Sequence, residues 1–116
     1  MRHKKKKITL GRVSQVRKAL MRSLAESLIL HGSIKTTLAK AKALRTVVEP
    51  LVTKAIKNDL AARRNVLKFL YTEKAVNRLF NEVAPNYKDR RGGYTRIIKM
   101  ARRPNDAAEV ARIEFV

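Results

Sequence analysis

Apolar residues recur along the first part of the chain at the spacing of an amphipathic helix. The stripe consists of Val16, Leu20, Leu24 and Leu28. This four-residue recurrence predicts a helix with one buried face, running to about Leu30. Ser14 is a suitable N-cap, and Gly32 suits the left-handed position that commonly ends a helix.

A second helical pattern follows a short β-branched segment, Ile34 to Thr37, which predicts a strand. Thr37 is a suitable cap for the helix after it. The apolar positions of this helix are Leu38, Ala41, Leu44, Val48, Leu51, Val52 and Ala55. Pro50 lies inside the pattern and is expected to kink the helix or split it near Glu49, because proline removes a helix hydrogen bond.

Two shorter helices are predicted next. Asp59 is expected to cap the first, over residues 60–71, and Thr72 the second, over residues 73–84. Pro85 is expected to end the second helix. The aromatic residues of this region are assigned to the core.

The C-terminal part alternates with a period of two residues. The runs Tyr94 to Arg102 and Glu109 to Val116 show this alternation, and Pro104-Asn105-Asp106 between them suits a turn. They predict an antiparallel hairpin that joins the earlier strand or packs on the helices, because an isolated hairpin is marginal in water. The predicted class is α+β.

Length and composition set the organisation. A chain of 116 residues with 45% apolar residues predicts one globular domain, placed at residues 14–116. Residues 1–13 include four consecutive lysines and are interpreted as an extended basic arm. The absence of cysteine excludes disulfides and thiolate metal sites. No apolar run approaches the ~20 residues of a membrane span, so a cytoplasmic protein is expected.

The charge points to nucleic acid. The formal net charge is +19, and nine basic residues precede the first acidic residue, Glu26. A compact domain with this charge repels itself, and a polyanion would relieve the repulsion. Enzyme chemistry has little support. His3 and His31 lie far apart, and the acids are scattered. Gly92-Gly93 precedes a strand rather than a helix, so no nucleotide motif, cofactor or metal site is predicted.

Four basic clusters are the candidate binding sites. They are the N-terminal arm, the polar face of the first helix, the start of the second helix and the loop that enters the hairpin. The predicted RNA-binding residues are Arg2, His3, Lys4, Lys5, Lys6, Lys7, Arg12, Arg17, Lys18, Arg22, Lys35, Thr36, Thr37, Lys40, Lys42, Arg45, Arg90, Arg91, Gly92, Gly93, Tyr94, Arg96, Lys99, Arg102 and Arg103. Free N–H groups at the start of the second helix are expected to add to the third cluster. Tyr94 is expected to stack on a base or cover a sugar.

Folded RNA fits this distribution best. Aromatic residues make up only 5% of the chain, which disfavours a stacking surface for long single strands. Charge spread over an arm, helices and a loop suits an irregular polyanion rather than one groove of a duplex. Two alternatives remain open, a nucleoid-type protein that binds duplex DNA and an RNA-processing enzyme.

Several stretches resemble the bacterial large-subunit ribosomal protein seventeen family. They are MRHKKKK, SLILHGSIKTTLAKAKALRTVVEPLVTKA, LFNEVAPNYKDRRGGYTRIIKM and ARIEFV. The segments IKTTLAKAK and GGYTRI are the most specific, and the resemblance covers essentially the whole chain. The start at MRHK resembles bacterial rather than organellar members. Two positions depart from the family pattern: Val16 stands where a histidine is usual, and Asn105-Asp106 replaces a usual Gly-Asp.

The resemblance implies about four helices on a short, mixed three-stranded sheet, in the order strand, helices, two strands. It implies a structural role in the large ribosomal subunit, in translation and in subunit assembly, near the exit of the nascent-chain tunnel. The implied partners are large-subunit ribosomal RNA and neighbouring large-subunit proteins. The sequence itself gives no reason to expect a homo-oligomer in the assembled state, because one small core uses the apolar stripes. The RNA contacts it favours are Arg2–Lys7, Lys35–Thr37 and Arg91–Arg96.

Overall fold

A computed structural model describes residues 8–116. The elements follow one another as α1 (Ser14–His31), β1 (Ser33–Thr37), α2 (Leu38–Lys57), α3 (Leu60–Phe69), α4 (Glu73–Arg78), β2 (Thr95–Met100) and β3 (Val110–Phe115). A π turn, Leu79–Val83, and a 3-10 turn, Ala84–Tyr87, continue α4. The predicted α+β class is confirmed. The division into an arm of residues 1–13 and a globular domain stays a prediction.

The three strands form one sheet in the order β1-β3-β2. Both pairs are antiparallel, with Ile34 and Ile97 each opposite Ile113. The predicted hairpin is confirmed, whereas the mixed sheet is corrected to an antiparallel one. The loop of residues 101–109 reverses the chain so that β3 runs opposite to β2, and β1 joins the other edge of β3 in the opposite direction, so no parallel pair forms.

The two faces of the sheet differ because successive side chains point to opposite sides. The face with Ile113 belongs to the hydrophobic core, which also includes Leu44 and Val52 of α2. The other face carries Lys35, Arg112 and Ile98 in one cross-strand row, and all are exposed. The sheet thus has one apolar side on the helices and one outer side that mixes basic residues with the exposed Ile98 and Met100.

Helix α1 buries the predicted stripe only toward its C-terminal end, where Leu28 is fully buried and Leu24 packs against the core. Its buried residues are Met21, Ala25, Leu28 and Ile29, whereas Val16 is 52% exposed. A four-residue step turns about 40° past a full helical turn, so a stripe built on such steps rotates by roughly 120° from Val16 to Leu28. Ser14 is the first helical residue rather than the cap: Val13 precedes it without a side-chain cap bond. Gly32 does end the helix, at φ 80°.

Of the predicted kink or split at Pro50, the split near Glu49 is wrong, because helix α2 runs unbroken from Leu38 to Lys57. Proline leaves the carbonyl four residues earlier, that of Thr46, without its helix partner. Pro50 and Thr46 are both exposed, so water can donate a hydrogen bond to the Thr46 carbonyl instead. The predicted cap is confirmed, since the backbone N–H of Lys40 donates to Thr37 Oγ1 at 3.4 Å.

The caps of α3 and α4 are also confirmed. Asp59 Oδ1 accepts from the N–H of Ala62 at 2.7 Å, and Thr72 Oγ1 accepts from the N–H of Ala75 at 3.4 Å. The expected stop at Pro85 is wrong, because the 3-10 turn includes this residue. Proline fits the first turn of a helical segment, where its missing N–H would have no partner.

Replacing Asp59 with alanine is expected to lower the free energy of unfolding by about 1 kcal/mol, because the α3 cap is lost. Asp89→Ala is the matched control: it removes the same charge from an exposed residue that caps no described helix. Urea denaturation followed by circular dichroism measures both. Equal losses in the two variants would contradict a capping role.

Candidate nucleic-acid interface

Most acidic side chains already form hydrogen bonds or ion pairs within the protein. Glu26, Glu49 and Asp59 accept hydrogen bonds from backbone N–H groups. The ion pairs among the described residues are Arg78–Glu82, Arg96–Glu114, Arg102–Glu109, Arg103–Asp106 and Arg112–Glu114. Most basic side chains of residues 8–116 therefore have no acidic partner, and their charge is available to an external anion.

One basic groove lies where β1 meets the start of α2 and the hairpin turn. We call it the hairpin groove; its volume is about 450 Å³. Its lining includes Lys35, Thr36, Thr37, Lys40, Arg102 and Arg103. The structure thus brings together residues of the third and fourth predicted clusters. They are far apart in sequence and meet because β1 and β2 flank β3 in the sheet.

The cations of the hairpin groove fall into two kinds. Arg103 forms a two-point pair with Asp106, at 3.0 and 2.6 Å, and this hydrogen bonding lowers the pKa of the Asp106 carboxyl and raises the pKa of the Arg103 guanidinium. Arg102 lies 3.4 Å from Glu109. Lys35 and Lys40 form no ion pair with any residue from 8 to 116. They are therefore the groove's free charges.

Fewer backbone N–H groups are free at the start of α2 than the sequence analysis predicted. The N–H of Leu38 donates to the Glu109 carbonyl at 2.9 Å, and that of Lys40 to Thr37 Oγ1. The expectation of free N–H groups there is therefore corrected for Leu38 and Lys40. A phosphate in this groove would be held mainly by the lysine side chains.

A second basic groove runs along the exposed side of α2, next to the Gly92-Gly93 loop. This loop groove has a volume of about 670 Å³, and its basic lining residues are Arg45, Lys54, Lys57 and Arg91. Sequence reasoning missed Lys54 and Lys57. The signal was present, because residues 46, 50, 53, 54 and 57 share one helix face at three- and four-residue spacing.

Tyr94 also borders the loop groove, but its side chain is only 2% exposed. Its hydroxyl donates to the Arg90 carbonyl at 3.1 Å, and its ring lies 5.3 Å from that of Tyr87. The predicted stacking of Tyr94 on a base is therefore wrong: the ring fills the core under the loop. Gly93, at φ 62°, has open space around it and lets the backbone turn there.

The cluster on α1 is partly engaged in local contacts. Arg12 Nη1 donates to the Leu10 carbonyl at 2.8 Å, and Arg17 Nη1 to the Arg12 carbonyl at 3.3 Å. Lys18 is exposed. The half-buried Arg22 lies against aromatic rings, a contact that the sequence did not predict.

Four predicted RNA-binding residues are exposed but line neither groove. They are Lys42, Arg90, Arg96 and Lys99. Arg96 pairs with Glu114 at 2.8 Å. The residues of the arm, Arg2 to Lys7, lie outside the described residues.

Two other kinds of feature are absent from residues 8–116. No group of three or more acidic or histidine side chains in this part could hold a metal ion. No helix in it combines the length and the apolar character needed to cross a membrane.

Comparison with known proteins gives a consistent result. A family described as "Ribosomal protein L17" matches residues 20–116. A relative from Hydrogenobaculum sp. (strain Y04AAS1), named large ribosomal subunit protein bL17, is 52% identical over 117 residues, which cover 100% of this chain and 99% of the relative. A protein of the same name from Mesomycoplasma hyopneumoniae (strain 7448) is 57% identical over 103 residues, covering 84% and 86%. The protein of that name from Rickettsia bellii (strain OSU 85-389) is 52% identical, covering 100% and 82%.

Proposed function

Because the chain belongs to the ribosomal protein L17 family, whose members are structural components of the large ribosomal subunit, we propose that it binds and stabilises large-subunit ribosomal RNA there. The family is non-enzymatic, so the RNA-processing alternative is set aside. The location is the ribosome, and the partners are ribosomal RNA and neighbouring ribosomal proteins.

The observation that carries this proposal is the uneven pairing of charge. The fold uses its acids for caps, backbone bonds and five ion pairs, and it leaves the lysines of both grooves unpaired among the described residues. Two grooves beside one helix, α2, can take closely spaced phosphates from separate RNA segments. Phosphate contacts of this kind position a protein on folded RNA.

The ion pairs also allow the predicted RNA contacts to be ranked, because a cation without an acidic partner is available to a phosphate. Lys35, Lys40 and Arg91 line grooves and lack ion pairs among the described residues, so we propose them as primary contacts together with the arm. Arg102 and Arg103 are held by acids and must give up those bonds to meet a phosphate. They rank second.

We further propose, from the family resemblance, a position near the exit of the nascent-chain tunnel and a role in subunit assembly. The support is the resemblance of the quoted segments, which extends over essentially the whole chain. The core uses the apolar faces of the helices and the inner face of the sheet, which gives no reason to expect a homo-oligomer in the assembled subunit.

A competition assay separates RNA from DNA as the partner. Labelled large-subunit ribosomal RNA is bound to the protein at fixed salt and displaced by unlabelled RNA or by duplex DNA. Displacement by RNA at much lower concentration is expected. Equal displacement by duplex DNA would favour the nucleoid-type alternative.

Replacing Lys4, Lys5, Lys6 and Lys7 with alanine is expected to flatten the salt dependence of RNA binding. If ~8 phosphates of irregular RNA are neutralised, the log–log slope is about −5 to −6, and four lost contacts reduce its magnitude by roughly 3. Filter binding over a salt series measures the slope, and circular dichroism checks that the fold is intact. An unchanged slope would remove the arm from the mechanism.

A further inference from the structure

Tyr71 differs from the other aromatic residues in its exposure. Its side chain is 56% exposed, whereas Tyr87, Tyr94 and Phe80 are 6%, 2% and 6% exposed. It follows α3 directly, in the short connection to α4. A half-exposed aromatic ring offers a face on which another flat group can stack.

The ring is fixed by contacts to α1. The Arg22 guanidinium carbon lies 5.5 Å from the Tyr71 ring centroid and 5.7 Å from that of Phe69. One helical turn later, Glu26 Oε1 accepts a hydrogen bond from the N–H of Thr72 at 2.7 Å. Two contacts with α1 therefore hold the connection between α3 and α4, and they position the exposed Tyr71 ring. We call Tyr71, Arg22 and Phe69 the aromatic platform.

Basic residues outnumber acidic ones in the segments of chain next to the aromatic platform. Lys18 lies one turn before Arg22 on α1, Lys68 lies in the last turn of α3, and Lys74 is in the first turn of α4. The acids nearby in sequence are Glu26, which bonds the Thr72 N–H, and the exposed Glu73. Arg22 Nε is buried and has no hydrogen-bond partner among the described residues. An open ring in contact with Arg22, with more cations than acids nearby in sequence, suits a base and its phosphates.

We propose that the aromatic platform is a stacking site for one unpaired base of ribosomal RNA, with Tyr71 as the stacking ring. The inference rests on the proposed RNA binding and assigns it a site outside the two grooves. Stacking on one aromatic residue is sequence-tolerant, because every base has a π face. Base stacking was predicted for Tyr94, whose ring is buried, and we assign it to Tyr71 instead.

The test uses Tyr71→Trp, because the chain has no tryptophan of its own. Excitation of the single indole then reports this position alone. On addition of in vitro transcribed large-subunit ribosomal RNA, the emission is expected to be quenched by base stacking. Leu60→Trp is the matched control on α3, where the native side chain is 64% exposed, and its emission should change little. Filter binding of both variants runs in parallel.

Affinity gives a second readout. Tyr71→Phe keeps the ring and should bind as the unchanged protein does, whereas Tyr71→Leu should bind roughly 5- to 100-fold more weakly. RNA binding by the Tyr71→Trp variant with no change in its indole emission would overturn the platform and leave the proposed function intact. Failure of the unchanged protein to bind the RNA would overturn both proposals.

Discussion

Replacing Ile113 with alanine is expected to lower the free energy of unfolding by about 2–5 kcal/mol. Ile113 is fully buried, and it lies in the middle strand with Ile34 and Ile97 opposite it. Its removal leaves a cavity between the sheet and α2 that the flanking strands cannot close. Because a domain of this size has a total stability of roughly 5–15 kcal/mol, the loss is large.

The control is the same truncation on the other face of the sheet. Ile98, on β2, is 38% exposed and points away from the core. Ile98→Ala is expected to cost less than about 1 kcal/mol. Urea denaturation of the two variants compares them directly. Equal losses would contradict the register of the sheet and the assignment of its buried face.

Replacing Lys35 and Lys40 with glutamine is expected to weaken RNA binding and to flatten its salt dependence. Each lost phosphate contact on irregular RNA reduces the magnitude of the log–log slope by about 0.7, so the double variant should lose about 1.4. Both side chains line the hairpin groove and form no ion pair within residues 8–116. Filter binding from low to high salt gives the slope.

The matched control removes two cations that the fold already pairs. Arg78 lies 2.9 Å from Glu82, and Arg112 lies 3.7 Å from Glu114. The double variant Arg78→Gln and Arg112→Gln has the same net charge as the lysine variant, yet its slope is expected to change little. If the two double variants lose equal slope, total charge alone governs binding and the ranking by ion pairing is wrong.

Local signals predicted the elements of this fold well. Thr37, Asp59 and Thr72 cap their helices as expected, because a cap depends on a side chain and the backbone three residues later. The hairpin was predictable from its alternation and its turn. The buried face of α1 was not, since the predicted stripe rotates around the helix and only packing selects which part of it faces the core.

The candidate site was predicted less completely. Clusters of basic residues are visible in the sequence, but the residues that share a groove come from distant segments, as with Lys35 and Arg103. Ion pairs such as Arg102–Glu109 also depend on the fold, so the sequence could not show which cations are free. Tyr94 and Tyr71 show the same limit, because exposure of an aromatic ring follows from tertiary packing.

Sedimentation of a cell lysate through a sucrose gradient, with a high-salt wash of each fraction, tests the central claim most directly. An RNA-bound structural component of the large subunit travels with that subunit and stays on it through the wash, because many phosphate contacts must break together. A protein that remains at the top of the gradient, or that spreads with chromosomal DNA, would contradict the account.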